Sequence, residues 1–528
     1  MPNFLNVVCK KTQEEHKKQM KMLLVFTSTN DFAAVNQFIS AEDRLNELVD
    51  VLINDDKKQM SISSEKPTLL VQGGQFHLTL DWYNQMPPYL FPNQLPFTKE
   101  VFLGTVFGLL GNFEKAWDYL DGNPLLIEWD TMIRIFNNYP IDFELLKNQN
   151  TNTDFDKYRY THNLAVAYNY AYLEEQNIPT IKQLYLQAIG QTVSEEYKLF
   201  TIKHFANFLL DIGQNTDAET MLKDSLKETE KEEIRAALQF VLVKAMMSRL
   251  VVPYDTNLVA DLKQTLWECL QFYEKNQLWG EAGMLLIDAS FVANIDNSFS
   301  ESLGYISKAI KYLEEEELTA LLGEAYMRKG TLLYTWSKNG NPQFYRPSLE
   351  AFQEALRVFT KEDAPEVFAE IHHSLGVLYA EMPDEEKKRS VWAALSSTSF
   401  KEALSFYTKE AYPYEYATIC NNYANAMTNY PQMKKADNYQ KALELYSESL
   451  IVRNAENYPY ERALTLINYL EASWLVGNED ETFHQERYEE MTRKAKEIKD
   501  LVNDQKLIAE AERHLKDLER LKKEMLSY

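Results

Sequence analysis

Three segments in the second half of the chain share one pattern of apolar and polar positions. They read Phe352-Gln-Glu-Ala355-Leu356-Arg-Val-Phe359, Phe400-Lys-Glu-Ala403-Leu404-Ser-Phe-Tyr407 and Tyr439-Gln-Lys-Ala442-Leu443-Glu-Leu-Tyr446. An aromatic, an alanine and a second aromatic at i, i+3 and i+7 fall on one helical face, where the small alanine lets a neighbouring helix approach. Each segment is preceded by another helical stretch with its own marker: Gly330, Gly376 and Ala424, with Leu470 in a fourth unit, spaced 46, 48 and 46 residues apart. Pro365, Pro413 and Pro459 open three of these units, where proline starts a helix and blocks continuation of the one before. A fixed period with a fixed pattern predicts an array of helix pairs.

The two ends read differently. Tyr488, Met491, Ala495, Ile498, Leu501, Ile508, Ala511, Leu515, Leu518, Leu521 and Met525 recur mostly three or four apart among dense charges. They predict an amphipathic helix with a break near Asn503-Asp504. It either caps the stack or pairs with another chain, including a second copy. Residues 1–97 predict helices over Thr12–Met22 and Ala33–Ile53, then short apolar runs at Leu69–Val71 and Phe76–Trp82. Gly73-Gly74 between those runs predicts a hairpin or a helix-breaking loop, and four prolines from Pro87 to Pro96 predict a linker or rigid connector. The expected division is an N-terminal segment or cap at 1–97, a repeat array at 98–475 and a capping helix at 476–528.

Composition narrows the fold to all-α. Gly and Pro number 16 and 17 in 528 residues, too few for the many turns of an all-β protein. The net charge of −24 argues against a global nucleic-acid footprint, which needs a cationic field. Cys9, Cys269 and Cys420 lie far apart, forming neither a zinc framework nor a disulfide ladder, and such sparse usage suits a reducing compartment. The N-terminal order of apolar and charged residues is the reverse of a signal peptide's. No apolar run is long enough to span a membrane. A cytoplasmic location is expected.

The markers resemble those of the tetratricopeptide repeat (TPR) family. The match is closest at Gly104, Phe107, Gly111, Phe113, Ala116 and Leu120, and again at Ala206, Leu209, Gly213, Ala218 and Leu222. Further units carry Leu164, Ala165, Tyr168 and Ala188, and Ala309 with Ile310. The later units exceed the usual 34-residue period, with the extra length expected between the two helices at Ser337–Pro347, Met382–Ser399 and Asn429–Asp437. In this they resemble the expanded bacterial repeats often found beside CHAT protease or NTPase signalling modules, although no motif of either module is present. The resemblance implies a right-handed TPR-like superhelix, an α-solenoid, over roughly residues 98–475. It also implies that four positions on each first helix face a concave groove. Here those positions hold Arg159, His162 and Asn169; Lys203 and Asn207; Glu324 and Tyr334; Glu370 and His373; Asn421 and Asn425; and Ile467, Glu471 and Trp474. The partner-binding candidates are Arg159, His162, Asn169, Lys203, Asn207, Tyr334, His373, Asn421 and Asn425.

Lys203 and Asn207 match half of the family's carboxylate clamp, an ammonium and an amide one turn apart; the other half is missing. Asn421 and Asn425 can grip an extended backbone through its N–H and C=O groups, and core or capping roles suit them equally. Catalytic signatures are absent: no GxxxxGK[ST], HExxH or GxSxG occurs. Adjacent His372 and His373 point about 100° apart on a helix and are not expected to share a metal. No cofactor is implied. The expected function is a non-catalytic scaffold or adaptor that binds a protein or peptide in its groove. Two alternatives remain open: a sensor subunit controlling a separately encoded effector, and an enzyme with its site in residues 1–97.

Overall fold

The computed structural model describes residues 23–53, 68–83, 87–143, 146, 153–171, 173–251, 254–383, 386–431, 437–476 and 483–526. The helix expected over Thr12–Met22, and Cys9, lie outside them.

The chain enters through a mixed five-stranded sheet of order β2-β1-β3-β4-β5, which the all-helical expectation did not contain. Its strands are β1 (Leu23–Thr27), β2 (Val49–Ile53), β3 (Thr68–Gln72), β4 (Gln75–Leu78) and β5 (Leu95–Pro96). The helix expected over Ala33–Ile53 is split. Helix α1 covers only Phe32–Ser40; Arg44 then takes a left-handed backbone, with φ 59°. Val49–Ile53 leaves the helix because it forms a parallel ladder with β1, Leu23 opposite Val49 and Val25 opposite Val51. Gly73-Gly74 makes the hairpin: both residues have positive φ, 65° and 76°, as a two-residue primed turn requires, and Gln72 faces Gln75 across it. Pro96 sits on the outermost strand, where its missing N–H leaves no ladder bond unmade. Helices α2 (Lys99–Leu109), α3 (Phe113–Leu120) and α4 (Leu125–Phe136) share the sheet's core: Phe102 packs edge-on against Phe76 at 5.6 Å and Phe97 at 5.2 Å.

The remaining chain is a helical solenoid of antiparallel pairs. The pairs are α5 (Asp154–Ala171) with α6 (Ile178–Gln191), α7 (Glu195–Asp211) with α8 (Asn215–Ser225), α9 (Glu232–Met247) with α10 (Thr256–Lys275), and α11 (Trp279–Ile295) with α12 (Phe299–Glu315). They continue with α13 (Thr319–Lys338) and α14 (Tyr345–Val358), α15 (Pro365–Glu381) and α16 (Glu386–Phe406), and α17 (Pro413–Asn429) and α18 (Asn438–Val452). Helices α19 (Pro459–Leu475), α20 (Gln485–Leu501) and α21 (Gln505–Leu526) close the stack. From α11 onward, the first helices of successive pairs also touch one another.

The repeat markers have one physical cause. Gly330 and Gly376 lie where the second helix presses its aromatic onto the first: an added Cβ would come within 2.9 Å of the Phe352 ring and 3.0 Å of Phe400. The close approach lets a second-helix serine reach a first-helix carbonyl. Ser348 donates to Gly330 O at 2.7 Å, Ser396 to Gly376 O at 2.5 Å, and Ser302 to Ser290 O at 2.6 Å. The prolines start α15, α17 and α19, and Thr360, Thr408 and Asn454 hold the turns before them through side-chain bonds to backbone N–H groups two or three residues on. The extra length at Ser337–Pro347 lies largely between the helices, as residues 339–344, and residues 432–436 of the third stretch fall outside the described set; Met382–Ser399 differs from the expectation, because α16 starts at Glu386 and takes most of it into helix. At the C-terminus the break falls between Leu501 and Gln505, and α21 packs onto both α19 and α20.

Candidate functional site

The groove positions of the early units do not face open solvent. They hold a segment of the same chain. Residues 80–83 and 87–91, which leave the sheet toward β5, cross the first helices α5, α7 and α9, and Trp82, Tyr89 and Leu90 are only 2%, 0% and 3% exposed. The segment is bound largely through its backbone. Asn163 of α5 accepts from Leu90 N–H and donates to Leu90 C=O, both at 2.8 Å. His162 donates from Nε2 to Pro88 O at 2.8 Å; a carbonyl only accepts, so the ring proton sits there, and Nδ1 takes the Thr201 hydroxyl at 3.0 Å. The Lys203 ammonium donates to Trp82 O. Side chains complete the seating. Trp82 meets Phe200 edge-on at 5.4 Å, Tyr83 stacks on Phe272 at 6.2 Å, and the Tyr89 hydroxyl donates to Glu128 of α4 at 2.5 Å. The other oxygen of Glu128 takes the Arg159 guanidinium at 2.7 Å in a buried ion pair.

Arg159, His162 and Lys203, expected to meet a partner in the groove, are instead placed around an internal occupant. The connector expected at Pro87–Pro96 is part of that occupant, and the half-clamp ammonium of Lys203 is spent on Trp82. Burial holds His162 at about 4, well below an ordinary histidine, and lowers Lys203 to about 8. His204, next along α7, is buried with neither ring nitrogen partnered; burial, Lys203 and His162 keep it neutral. Asn207 is half-buried, and Asn169 turns inward to the Tyr185 hydroxyl at 3.3 Å.

Beyond α9 the described residues place no segment of the chain across the groove. Tyr334 donates to Glu381 at 2.9 Å, and Asn425 accepts from Tyr446 at 2.6 Å. His373 meets Asn422 of the next first helix at 2.9 Å, and burial lowers it to about 4. Asn421 is different: its Oδ1 is buried without a hydrogen-bond partner. It occupies the repeat position that His162 and Lys203 hold in the early units, three residues before the small marker, where those two side chains each bond a carbonyl of the internal segment.

Between them lies a carboxylate wall. Asp288 on α11 is pushed up to about 7 by burial and by Glu324 on α13, against the pull of Arg328 and Lys244. Burial and the neighbouring Glu370 of α15 raise Glu324, and burial raises Glu370 too. Arg328 lies 3.8 Å from Glu324, beyond hydrogen-bond range, and its Nε is buried without a partner. Sequence reading named Glu324 and Glu370 but missed Asp288, Arg328 and Asn163. Asn163 directly follows a mapped position, so an amide side chain beside His162 was the available clue.

Other chemistry is accounted for locally. Cys269 and Cys420 are buried, and burial pushes the Cys420 thiol up to about 11, away from a reactive thiolate. Glu471, Glu510 and His514 are the group among the described residues spaced to hold a metal ion. The donor set fits poorly. The Trp474 indole N–H donates to His514 Nδ1 at 2.9 Å, which leaves the ring proton on Nε2, and Arg513 pairs with both carboxylates at 3.4 and 2.5 Å. At the carboxyl end of β1, Asp31 accepts from Ser28 at 2.7 Å and from Gly73 N–H at 2.9 Å, tying that loop to the hairpin. No helix among the described residues is long and apolar enough to cross a membrane.

No family model matches the chain, and no curated protein does. Solved structures resemble it at low identity. Yeast Tom70 is 14% identical, with 81% of this chain and 82% of that chain covered and a TM-score of 0.33. A human IFIT1 dimer with m7Gppp-AAAA is 13% identical over 79% and 81%, at 0.37. A signal transduction ATPase with a tetratricopeptide repeat sensor, from Pyrococcus horikoshii, is 12% identical over 97% and 79%, at 0.38. At these scores the likenesses carry no argument about function, which rests on the groove itself.

Proposed function

We propose that the chain is a non-catalytic interaction scaffold whose open groove, along α11 to α19, takes a segment of a partner protein. One observation carries this: the same groove, one stretch earlier, already binds a segment of the chain by its backbone, through Asn163, His162 and Lys203. Backbone recognition of this kind is indifferent to side-chain identity, so the surface suits an extended chain in general, with flanking side chains fixing register. Asn421 is the first residue to examine, because its buried Oδ1 needs an N–H donor that the described residues do not supply.

The test is to pan a random decapeptide library over the full chain and measure the selected peptides against Asn421→Ala. Selected peptides that weaken about tenfold, the loss of one buried hydrogen bond with its partner stranded, support the reading. Peptides that bind the variant and the wild type equally would move the contact elsewhere and overturn it. One rival place is the open cavity of about 940 Å³ lined by Tyr423, Glu448, Tyr469 and Arg487.

A further inference from the structure

Resting on that reading, we infer that the partner segment carries a large apolar side chain, aromatic or aliphatic, which packs on Tyr460 and Leu464 of α19 while Asn421 of α17 takes a backbone N–H beside it. The two helices present matching rows, 46 residues apart: Tyr414, Thr418, Asn421 and Asn425 on α17, and Tyr460, Leu464, Ile467 and Glu471 on α19. Each row advances by four, three and four residues, so it runs along one face of its helix. Direct contacts fix the rows side by side. The Tyr414 ring lies 5.6 Å from that of Tyr458, just before α19. The buried guanidinium of Arg453 donates to Thr418 at 3.1 Å and to Thr465, next to Leu464, at 2.8 Å.

The patch these contacts assemble is apolar and exposed. Tyr414, Tyr460 and Leu464 are 43%, 48% and 39% exposed, and covering apolar surface that is held together in this way releases free energy. Helix α21 engages the other end of the α19 row, where Trp474 donates to His514 at 2.9 Å and Glu471 pairs with Arg513 at 3.4 Å. Asn421 says independently that the occupant is a chain: its buried, unpartnered Oδ1 needs an N–H, which a peptide carries at almost every residue. The occupied stretch of the same groove shows the combination at work. Asn163 takes the backbone of Leu90, and the side chains of Leu90 and its neighbour Tyr89 are buried there. An amide beside an apolar seat thus holds one short piece of chain, and α17 with α19 offers the same pair of contacts to a partner.

The test sequences the decapeptides selected from a random library over the full chain and measures them, by fluorescence anisotropy, against two double variants, each checked for a native helical signal. Tyr460→Ser with Leu464→Ser strips the apolar row. Leu186→Ser with Trp267→Ser removes exposed apolar side chains from the second helices α6 and α10. The expected result is a selected pool enriched in aromatic and large aliphatic residues, with binding that falls by about tenfold or more in the first variant and by less than about twofold in the second. Tyr460→Ser alone should show a smaller loss in the same direction. Equal losses in the two double variants, or no loss in the first, would overturn the apolar seat. If the peptides then still depend on Asn421, the groove reading stands and only the apolar side chain falls; if they do not, or if the library yields no binder, both fall. Self-association of the wild type in sedimentation velocity that disappears in Tyr460→Ser with Leu464→Ser would assign the patch to a second copy and overturn the partner segment.

Discussion

Replacing Asn163 by alanine tests the account of the occupied groove most sharply. The side chain makes two bonds of 2.8 Å to one residue, Leu90, whose own side chain is 3% exposed. In Asn163→Ala the Leu90 N–H loses its acceptor, and water does not readily replace it. The Leu90 carbonyl keeps only Arg159 at 3.5 Å, the outer limit of a hydrogen bond. Two net bonds near 1 kcal/mol each, plus roughly 1–2 kcal/mol for the stranded donor, give about 3 kcal/mol. A solenoid does not unfold in one step, so a global midpoint would dilute this local effect. The suitable assay is native-state hydrogen exchange at the amides of Tyr89, Leu90 and Phe91, where about 3 kcal/mol corresponds to roughly a hundredfold faster opening. Asn169→Ala, which removes a bond from α5 to Tyr185 of α6, should leave these amides unchanged. Acceleration below about threefold in Asn163→Ala, or equal acceleration in both variants, would show that the segment is held by its aromatic side chains and not by its backbone.

Three further outcomes are expected. Because burial lowers His162 to about 4 from its usual 6.5, the neutral ring's contribution is complete above pH 6.5 and is lost as the pH falls toward 4. The loss is up to about 3 kcal/mol, and exchange at Tyr89, Leu90 and Phe91 should quicken over that window in the wild type more than in His162→Gln. Gly330→Ala places a Cβ 2.9 Å from the Phe352 ring and should destabilise the α13–α14 pair by roughly 1–3 kcal/mol. Gly304→Ala, in the interior of α12 with nothing within 4 Å, should stabilise by roughly 1 kcal/mol, both measured by local exchange. Asp288 is raised to about 7, so its carboxylate costs stability once the pH rises above the ordinary carboxylate range. Asp288→Asn should raise the melting temperature at pH 8, with no gain at pH 3.5.

The helix pairs were legible in the sequence because close packing restricts particular positions. Gly330 and Gly376 must be small under Phe352 and Phe400, and Pro365 and Pro413 must start helices, so the pattern recurs wherever the geometry does. The sheet was hidden for the opposite reason. Val49–Ile53 continues an apolar pattern that suits either period, and only pairing with Leu23–Thr27 decides it as a strand. Likewise Gly73-Gly74 left hairpin and loop open until β3 and β4 were seen in register. At the groove, position in the repeat identified Arg159, His162 and Lys203 as facing one surface. Nothing local could show that a segment some 70 residues upstream of His162 covers it, because that contact depends on how the sheet docks. The chemistry argued for Asn421 and Asn425, an amide gripping both sides of a peptide unit, is present in the chain. It is performed by Asn163, while Asn425 is engaged by Tyr446.

The central claim is that the groove is closed by its own chain over α5 to α9 and open to a segment of a partner protein from α11 onward. Hydrogen exchange of the full chain with and without a library-selected decapeptide tests it directly. The account predicts new protection confined to the first helices α11, α13, α15, α17 and α19, with Tyr89, Leu90 and Phe91 equally protected in both states. Protection around the cavity between α18 and α20, or loss of protection at Tyr89, Leu90 and Phe91 on adding the peptide, would contradict it.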